Sequence, residues 1–390
     1  MKFTLSKLIL KFIPYPFIRY VRKRVNLKYL LFGASRKDKG NYLLIEEDFV
    51  FTVYGMEKEL GKEVVDGFKA CYDEYMEHPH HLRKYILSVE DCIIEPVYGW
   101  GITPYDDKLV FDSISNNTWR ETYHPSWFAY KKNKGSAIPL EEVVSINLLK
   151  GGEDNYWHFL HDLLGQVILS RKHLGHQLPF LISKSLSEKT YFKQALQISE
   201  VLANAKWVIR DKEYYRAKKV WFVQPMPNSN EQFFALRELL KIPEAPANGN
   251  RKIFLTRSKK RIRFLSNKEA VEQIARDAGF EIVDTDGLSL QEQVKLFSET
   301  RWLIGIHGAG LTNILYRKGA VMSVFELLPG DYLQPHYYWL AKGMNNHYIC
   351  QVGSVAALDT SFEIDEQLFR EKITAFVTSQ AATDAEPHDQ

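Results

Sequence analysis

His158 and Asp162 stand four residues apart in the stretch EDNYWHFLHDLLGQVILSR. On a helix that spacing puts both on one face, and an imidazole beside a carboxylate is what a general base and its orienting partner require. The pair also fits a helix-surface ion pair or a structural histidine. Arg257, Lys259, Lys260, Arg261 and Arg263 crowd five cations into one short loop. Guanidinium forks match phosphate oxygens bidentately, although a charge run is equally the mark of a solvated edge. In the turn His307, Gly308, Ala309, Gly310, a backbone without Cβ lets a phosphate approach closely. Leu311, Thr312 and Asn313 continue it, the last two offering short polar side chains. Glu326 closes the next apolar run, where a carboxylate would accept both hydroxyls of a ribose. Asp284-Thr285-Asp286 would hold a divalent cation on a diphosphate, but its place before Gly287 is explained by turn chemistry. No metal is expected.

The elements that position these groups are legible in the punctuation. Trp302 to Leu328 reads strand, glycine loop, helix, strand, with the helix opening near Gly310 so that its N–H groups and dipole face an anion. Many such turns merely pack a helix on a sheet. The motif is neither a full GxGxxG nor a GxxxxGK[ST], so dehydrogenase and kinase readings lose ground. Upstream, Lys252–Thr256 and Glu281–Thr285 read as strands, and Ser266 with Glu269 and Ser289 with Glu292 as capping boxes of two helices. Downstream come a helix over Tyr332–Lys342 and a strand over His347–Val352. Strands alternating with helices predict a Rossmann-like parallel sheet over 251–377, after a linker at Ile242–Asn250. Residues 39–242 form a second α/β domain. Its strands lie at Tyr42–Ile45, Val50–Val53, Val143–Leu148, Leu178–Ile182, Trp207–Ile209 and Lys219–Val223. A helix covers Lys58–Tyr75, and hairpin pieces lie near Val97–Ile102 and Lys108–Phe111. In the helix that carries His158, Tyr156, Phe159, Leu160, Leu163 and Val167 make a buried stripe. The tail, 378–390, is polar and reads as disordered.

The 390 residues carry a net charge of +3, unevenly spread. Residues 1–38 form a basic arm whose first thirty residues hold eight Lys or Arg and no acid, leaving 43 basic against 48 acidic side chains elsewhere. A mildly acidic body argues against a nucleic-acid binder. In 1–31 the basic residues interleave with apolar ones, with no unbroken span of about 20 to cross a bilayer and no cleavable signal. That pattern fits an arm lying on an anionic membrane surface, or one docked on the protein's own body. Cys71, Cys92 and Cys350 match no zinc spacing and suit buried sites in a reducing compartment.

HGAGLTN at His307–Asn313, followed by VFELLP, resembles glycosyltransferase family 61. NYWHFLHD at Asn155–Asp162 is similar to the family's N-Y-x-H-x-x-x-[DE] helix. TRSKKRIRFLSN is similar to its Arg…Arg-x-x-x-Asn segment, with Arg257, Arg263 and Asn267 at the matching positions; the longer spacing leaves Arg261 and Arg263 as alternatives. The resemblance covers roughly 151–352. It implies a GT-B-like α/β fold, two Rossmann-like domains facing across a cleft, and an inverting transfer from a nucleotide-sugar donor that needs no metal. Arg257, Arg263, Asn267, His307 to Asn313 and Glu326 would hold the donor, with His158 and Asp162 as the base. Eukaryotic members carry a signal anchor and luminal disulfides, which are not seen here. The resemblance therefore points to a bacterial cytoplasmic enzyme at the inner face of the membrane. Its acceptor would be a glycan, lipid-linked, in capsule, exopolysaccharide or lipopolysaccharide assembly. Two other readings stand beside it: a non-catalytic nucleotide-sugar-binding scaffold, and a Rossmann oxidoreductase, which the absent third glycine disfavours.

Overall fold

A computed structural model describes residues 41–45, 57–77, 84–110, 113, 125–147, 152–224, 230–259 and 261–383. The basic arm, the Val50–Val53 strand and residues 384–390 lie outside them. The first sheet contains β1 (Asn41–Ile45), β2 (Lys84–Ile94), β3 (Gly101–Thr103), β4 (Lys108–Leu109), β5 (Ile138–Ser145), β6 (Phe180–Ser183), β7 (Trp207–Arg210) and β8 (Tyr215–Gln224). Its order is β4-β3-β2-β8-β5-β6-β7, with β1 also on β2. Only β8, β5, β6 and β7 run parallel; β1 to β4 add antiparallel pairs through β2. This domain is therefore a mixed sheet, Rossmann-like in its parallel half alone. The second sheet, β9 (Arg251–Leu255), β10 (Glu281–Val283), β11 (Thr300–Ile306), β12 (Ser323–Leu328) and β13 (His347–Val352), is wholly parallel in the order β10-β9-β11-β12-β13. Two α/β units of this kind are consistent with a GT-B-like arrangement.

β2, eleven residues long, was not foreseen, because Ser88, Glu90 and Asp91 interrupt its apolar run. Asp91 takes φ 45, yet the pairing of β2 to β8 keeps one register on either side of it. The buried sequence SVFELL of β12 is that of a parallel strand covered on both faces.

The helices that matter are α1 (Lys62–Glu77), α2, α3 (Thr190–Ile198), α4 (Asn230–Leu239), α5 (Lys268–Asp277), α6 (Leu290–Ser298), α7 (His336–Gly343) and α8 (Glu366–Thr383). α2 joins Tyr156–His158, a π-helical turn at Phe159–Leu163, and Leu164–Leu174. The Ser289–Glu292 capping box opens α6. Ser266 makes no cap; its hydroxyl donates to the carbonyl of Phe362 at 3.2 Å, because a β-bridge between Leu265 and Phe362 pulls it aside. α5 ends as expected, with Gly279 at φ 83 and the Phe280 N–H returning to the Ala275 carbonyl at 2.9 Å. α8 runs to Thr383, so residues 378–383 are helical rather than part of a disordered tail; two alanines in that stretch favour it.

One hydrophobic core crosses from the first unit to the second, from Val144, Leu160 and Phe233 to Leu303, Leu311 and Leu340. The linker separates two sheets but not two cores, so no open cleft divides the chain from end to end. α1 belongs to this seam: Phe68 packs on Tyr338 at 6.0 Å between ring centroids, and the Cys71 thiol donates to Gln334 at 2.8 Å. No disulfide joins the three cysteines, and all are buried. Buried Arg237 on α4 donates through Nε to the Leu315 carbonyl at 2.8 Å and through Nη2 to that of Arg317 at 2.7 Å. The Tyr156 and Tyr316 hydroxyls bond across the same seam. Among the described residues, no helix is long and apolar enough to cross a membrane.

His161 lies inside the seam. Its ring stacks on Trp157 at 3.8 Å and meets Phe233 edge-on at 5.3 Å. Neither ring nitrogen has a hydrogen-bond partner among the described residues. Burial, and then the nearby His158 and His336, hold its pKa well below the usual range.

Two outcomes follow from the seam. Replacing Arg237 with Ala strands two buried carbonyls and lowers stability by about 2–4 kcal/mol, read from urea unfolding by fluorescence, with both sheets melting together. A loss below about 1 kcal/mol would show that this arginine does not hold the units together. His161 stays neutral when folded but takes up a proton near pH 6.5 when unfolded. Its contribution is therefore complete above about pH 6.5 and is lost as the pH falls below it. His161→Phe should shrink the drop in melting temperature between about pH 7.5 and 5.5.

Candidate active site

In the order β10-β9-β11, the chain leaves β9 and β11 toward opposite edges of the sheet, and ligands bind in the crevice such a reversal opens at the strand ends. A cavity of about 410 Å³ lies there. Thr256 to Ser258 and Arg261 to Arg263 line one side, and Ile306, Ala309 and Gly310 the floor. Asn155, Tyr156 and Tyr191 come from the other unit.

Arg257 lies across the glycine turn. Its Nη1 donates to the His307 carbonyl at 3.0 Å, and a Cβ on Gly308 would collide with its guanidinium. This close approach is why the position needs glycine. Arg263 adopts the left-handed φ of 60, uncommon for a residue with a side chain. Its backbone N–H is tied to Thr360 Oγ1 at 3.1 Å, and its guanidinium stacks over Tyr332 at 4.8 Å. The Nε of each arginine is buried with no hydrogen-bond partner among the described residues. Burial, with the Arg263 charge beside it, brings the pKa of Arg257 down to about 10. Arg261 differs: it is an exposed partner of Asp286 at 3.0 Å. Of the two alternatives, Arg263 is the one turned inward.

Glu326 does not face the cavity. It is fully buried, with Oε1 2.5 Å from His307 Nδ1 and Oε2 accepting from the Tyr348 hydroxyl at 2.5 Å. Both oxygens are taken, so no ribose hydroxyl reaches them. Sequence reading missed this imidazole–carboxylate pair because nineteen residues separate its members and only the β11–β12 pairing joins them. Burial depresses the pKa of His307 against the pull of Glu326, with Arg263 and Arg257 adding to the depression.

His158 and Asp162 do meet, with Nδ1 and Oδ2 2.6 Å apart and side chains 36% and 28% exposed. Asn155 caps the helix just upstream, accepting from the Trp157 N–H at 2.9 Å. The pair spans the start of the π-helical turn, a feature frequent at functional sites. Burial lowers the pKa of His158, but the charge and hydrogen bond of Asp162 outweigh it, and the net shift is upward. His336, at the start of α7, feels His307, His158 and Arg263. Burial first and then those neighbours take its pKa down to about 3. The rings of Tyr332 and Tyr337 flank His307 at 5.3 and 5.1 Å. Neither those tyrosines nor His336 stood out as site residues; all follow the glycine motif, on a helix that reads as ordinary core.

Four other expected ligands lie elsewhere. Asn267 clamps the entry to α8, donating to the Ile364 carbonyl at 2.8 Å and to Glu366 at 3.1 Å. The segment Ala309–Tyr316 is a 3-10 helix, buried from Leu311 onward. Leu311 is therefore core, Thr312 is buried, and Asn313 donates to Gln293 at 2.9 Å; only Ala309 and Gly310 reach the cavity. Asp284 accepts from the Asp286 N–H at 2.9 Å, a turn of the expected kind. Among the described residues, no three metal-ligating side chains converge.

Residues 156–322 match the family model Glycosyltransferase 61, a span from the start of α2 to the residue before β12. No curated protein matches the sequence. Among solved structures, the bacterial iron-containing dodecameric glycosyltransferase TibC from enterotoxigenic E. coli is 12% identical, covering 51% of this chain and 62% of that one, with a TM-score of 0.28. The Flv1 flavodiiron core from Synechocystis is 12% identical, covering 77% and 65%, with a TM-score of 0.25. The chain thus spans less than two thirds of either structure, and overlaps this loose carry no argument about chemistry. What the family match establishes is that residues 156–322 are a glycosyltransferase family 61 domain, a transferase domain.

Proposed function

We propose that the cavity takes a nucleoside-diphosphate sugar and that the chain transfers the sugar, with inversion, to an acceptor hydroxyl without a metal ion. One observation carries this reading: two guanidinium groups with unmet buried donors line the β9–β11 crevice, Arg257 over the glycine turn and Arg263 over Tyr332. A diphosphate would meet those donors. In the transfer, the acceptor oxygen attacks the anomeric carbon as the bond from that carbon to the β-phosphate oxygen breaks. The departing electron pair ends on the diphosphate, whose growing charge the fixed arginines stabilise without reorganising. The acceptor proton goes to His158, and Asp162 stabilises the imidazolium that forms. His307, held on Glu326, positions Arg257 through its carbonyl.

The acceptor in this reading is a glycan, lipid-linked, met at the inner face of a cytoplasmic membrane during capsule, exopolysaccharide or lipopolysaccharide assembly. Its support is the composition of residues 1–31, basic and apolar by turns.

His158→Ala should reduce transfer about 10²–10⁴-fold while donor affinity holds within about twofold. Because Asp162 raises the pKa of His158, kcat/KM should climb with pH through a midpoint above about 6.5. Asp162→Asn should bring that midpoint below about 6.5; an unmoved acid limb would remove His158 from the role of base. For the donor, Arg263→Ala should weaken nucleoside diphosphate binding by about tenfold or more, and Arg261→Ala by less than about threefold. Turnover should persist in EDTA. Loss of turnover in EDTA with recovery in manganese would overturn the metal-free mechanism.

A further inference from the structure

A diphosphate joins a sugar on one side to a nucleoside on the other, and the surroundings of the two arginines differ on their two sides. Toward His158, His307 and His336 lie the groups suited to transfer. The cavity also has a wall that belongs to both units: Tyr191 and Gln194 from α3, with Leu288, Leu290 and Gln293. Granting that the cavity holds a nucleoside diphosphate, we infer that Tyr191 and Gln194, on the first unit, read the nucleobase.

The hydrogen bonds of this wall leave only certain groups unused. Gln293 is spent at both ends, donating to the Leu288 carbonyl at 3.0 Å and accepting from Asn313 at 2.9 Å. Asp286 is held by Arg261. The Oε1 of Gln194 accepts from the Leu290 N–H at 2.9 Å. That bond fixes which way the amide points, since a backbone N–H needs the oxygen and not the nitrogen. The Gln194 NH₂ is left as a donor. The Tyr191 hydroxyl is shut off from solvent and has no hydrogen-bond partner among the described residues. Burial, with Asp154 and Glu153 nearby, raises its pKa, so it too stays a donor at neutral pH. Leu288 and Leu290 supply an apolar surface for a flat ring. Two donors beside such a surface fit a base that presents a carbonyl, such as uracil or guanine. Adenine has no carbonyl to offer them.

The placement also explains why Tyr191 and Gln194 escape a reading of the Rossmann-like unit alone. Nucleoside recognition here is shared across the seam, and α3 contributes through its packing on α6.

The test is calorimetric titration of the full chain with UDP, GDP, ADP and pyrophosphate. A keto-base nucleotide, UDP or GDP, should bind at least about tenfold tighter than ADP. Tyr191→Phe removes one oxygen from a packed ring and should weaken that nucleotide about 3–10-fold. Gln194→Glu keeps the acceptor for Leu290 but turns the donor into an acceptor. It should cut the ratio of keto-base to ADP affinity by about tenfold or more. Pyrophosphate binding should hold within about twofold for Tyr191→Phe, which marks the effect as one on the nucleoside. If both variants leave the nucleotide preference unchanged while Arg263→Ala still weakens every nucleotide, the base is read elsewhere and only this inference fails. If Arg263→Ala also has no effect on any nucleotide, the diphosphate reading beneath it fails as well.

Discussion

Two guanidinium groups kept partly out of water, with donors that no atom of the described residues meets, are the constraint around which the other features are arranged. A buried cation without a counter-charge is unfavourable, and the pKa of Arg257, down to about 10, is the mark of that strain. The fold nonetheless keeps both arginines in place. Gly308 is stripped of a Cβ so that Arg257 can lie flat, and Arg263 accepts a left-handed backbone so that its side chain turns inward onto Tyr332. Neither device improves the folded chain on its own account. Both become reasonable if an anion arrives, since its charge relieves the desolvation of two cations together and its oxygens satisfy their donors. Stability withheld at the site is thus available as binding energy.

That arrangement depends on a rigid frame, and the frame is the seam. A single core passes between the two sheets, and Arg237, Tyr156 and Gln194 add polar ties at separate points along it. The wall opposite the arginines is therefore already present before any ligand binds. Preorganised donors stabilise charge that develops during a reaction because they need not turn to meet it.

The second unit was legible almost to the residue where its punctuation is local. The Ser289–Glu292 box, Gly279 after α5 and the apolar runs of β9, β11 and β12 each act within a few residues of themselves. The first unit was less legible, since β2 carries its polar residues mid-strand and depends on β8, far along the chain, for its place. At the site, the residue types were readable and their partners were not. Glu326 presented itself as a ribose ligand because a carboxylate at a strand end usually faces the ligand crevice; its commitment to His307 and Tyr348 is a contact between neighbouring strands that no spacing encodes. Asn267 sits at a helix start, yet the long-range bridge to residues 362–366 captured it. The left-handed backbone of Arg263, which sets it apart from Arg261, is likewise a feature that no spacing encodes.

Two imidazole–carboxylate pairs lie in one neighbourhood, and their surroundings differ in a way that bears on the proposed proton chemistry. His307 is buried, and Arg257 and Arg263 work against its protonation even with Glu326 attached. His158 is partly open to solvent, and Asp162 prevails, so its pKa is raised. The environments push the two apart, as they do wherever neighbouring groups are assigned different parts in acid–base work. A group that stays neutral through the working range of pH contributes geometry. One whose pKa a carboxylate raises is, once deprotonated, the stronger base, and in the proposed transfer it takes the proton of an acceptor hydroxyl while the carboxylate favours the charged form. His336, neutral between them, keeps a third positive charge out of a site already holding two arginines. The cationic charge is thereby concentrated where a diphosphate would lie, and in the proposed transfer His158 would receive the proton from the opposite unit, where an acceptor hydroxyl would approach.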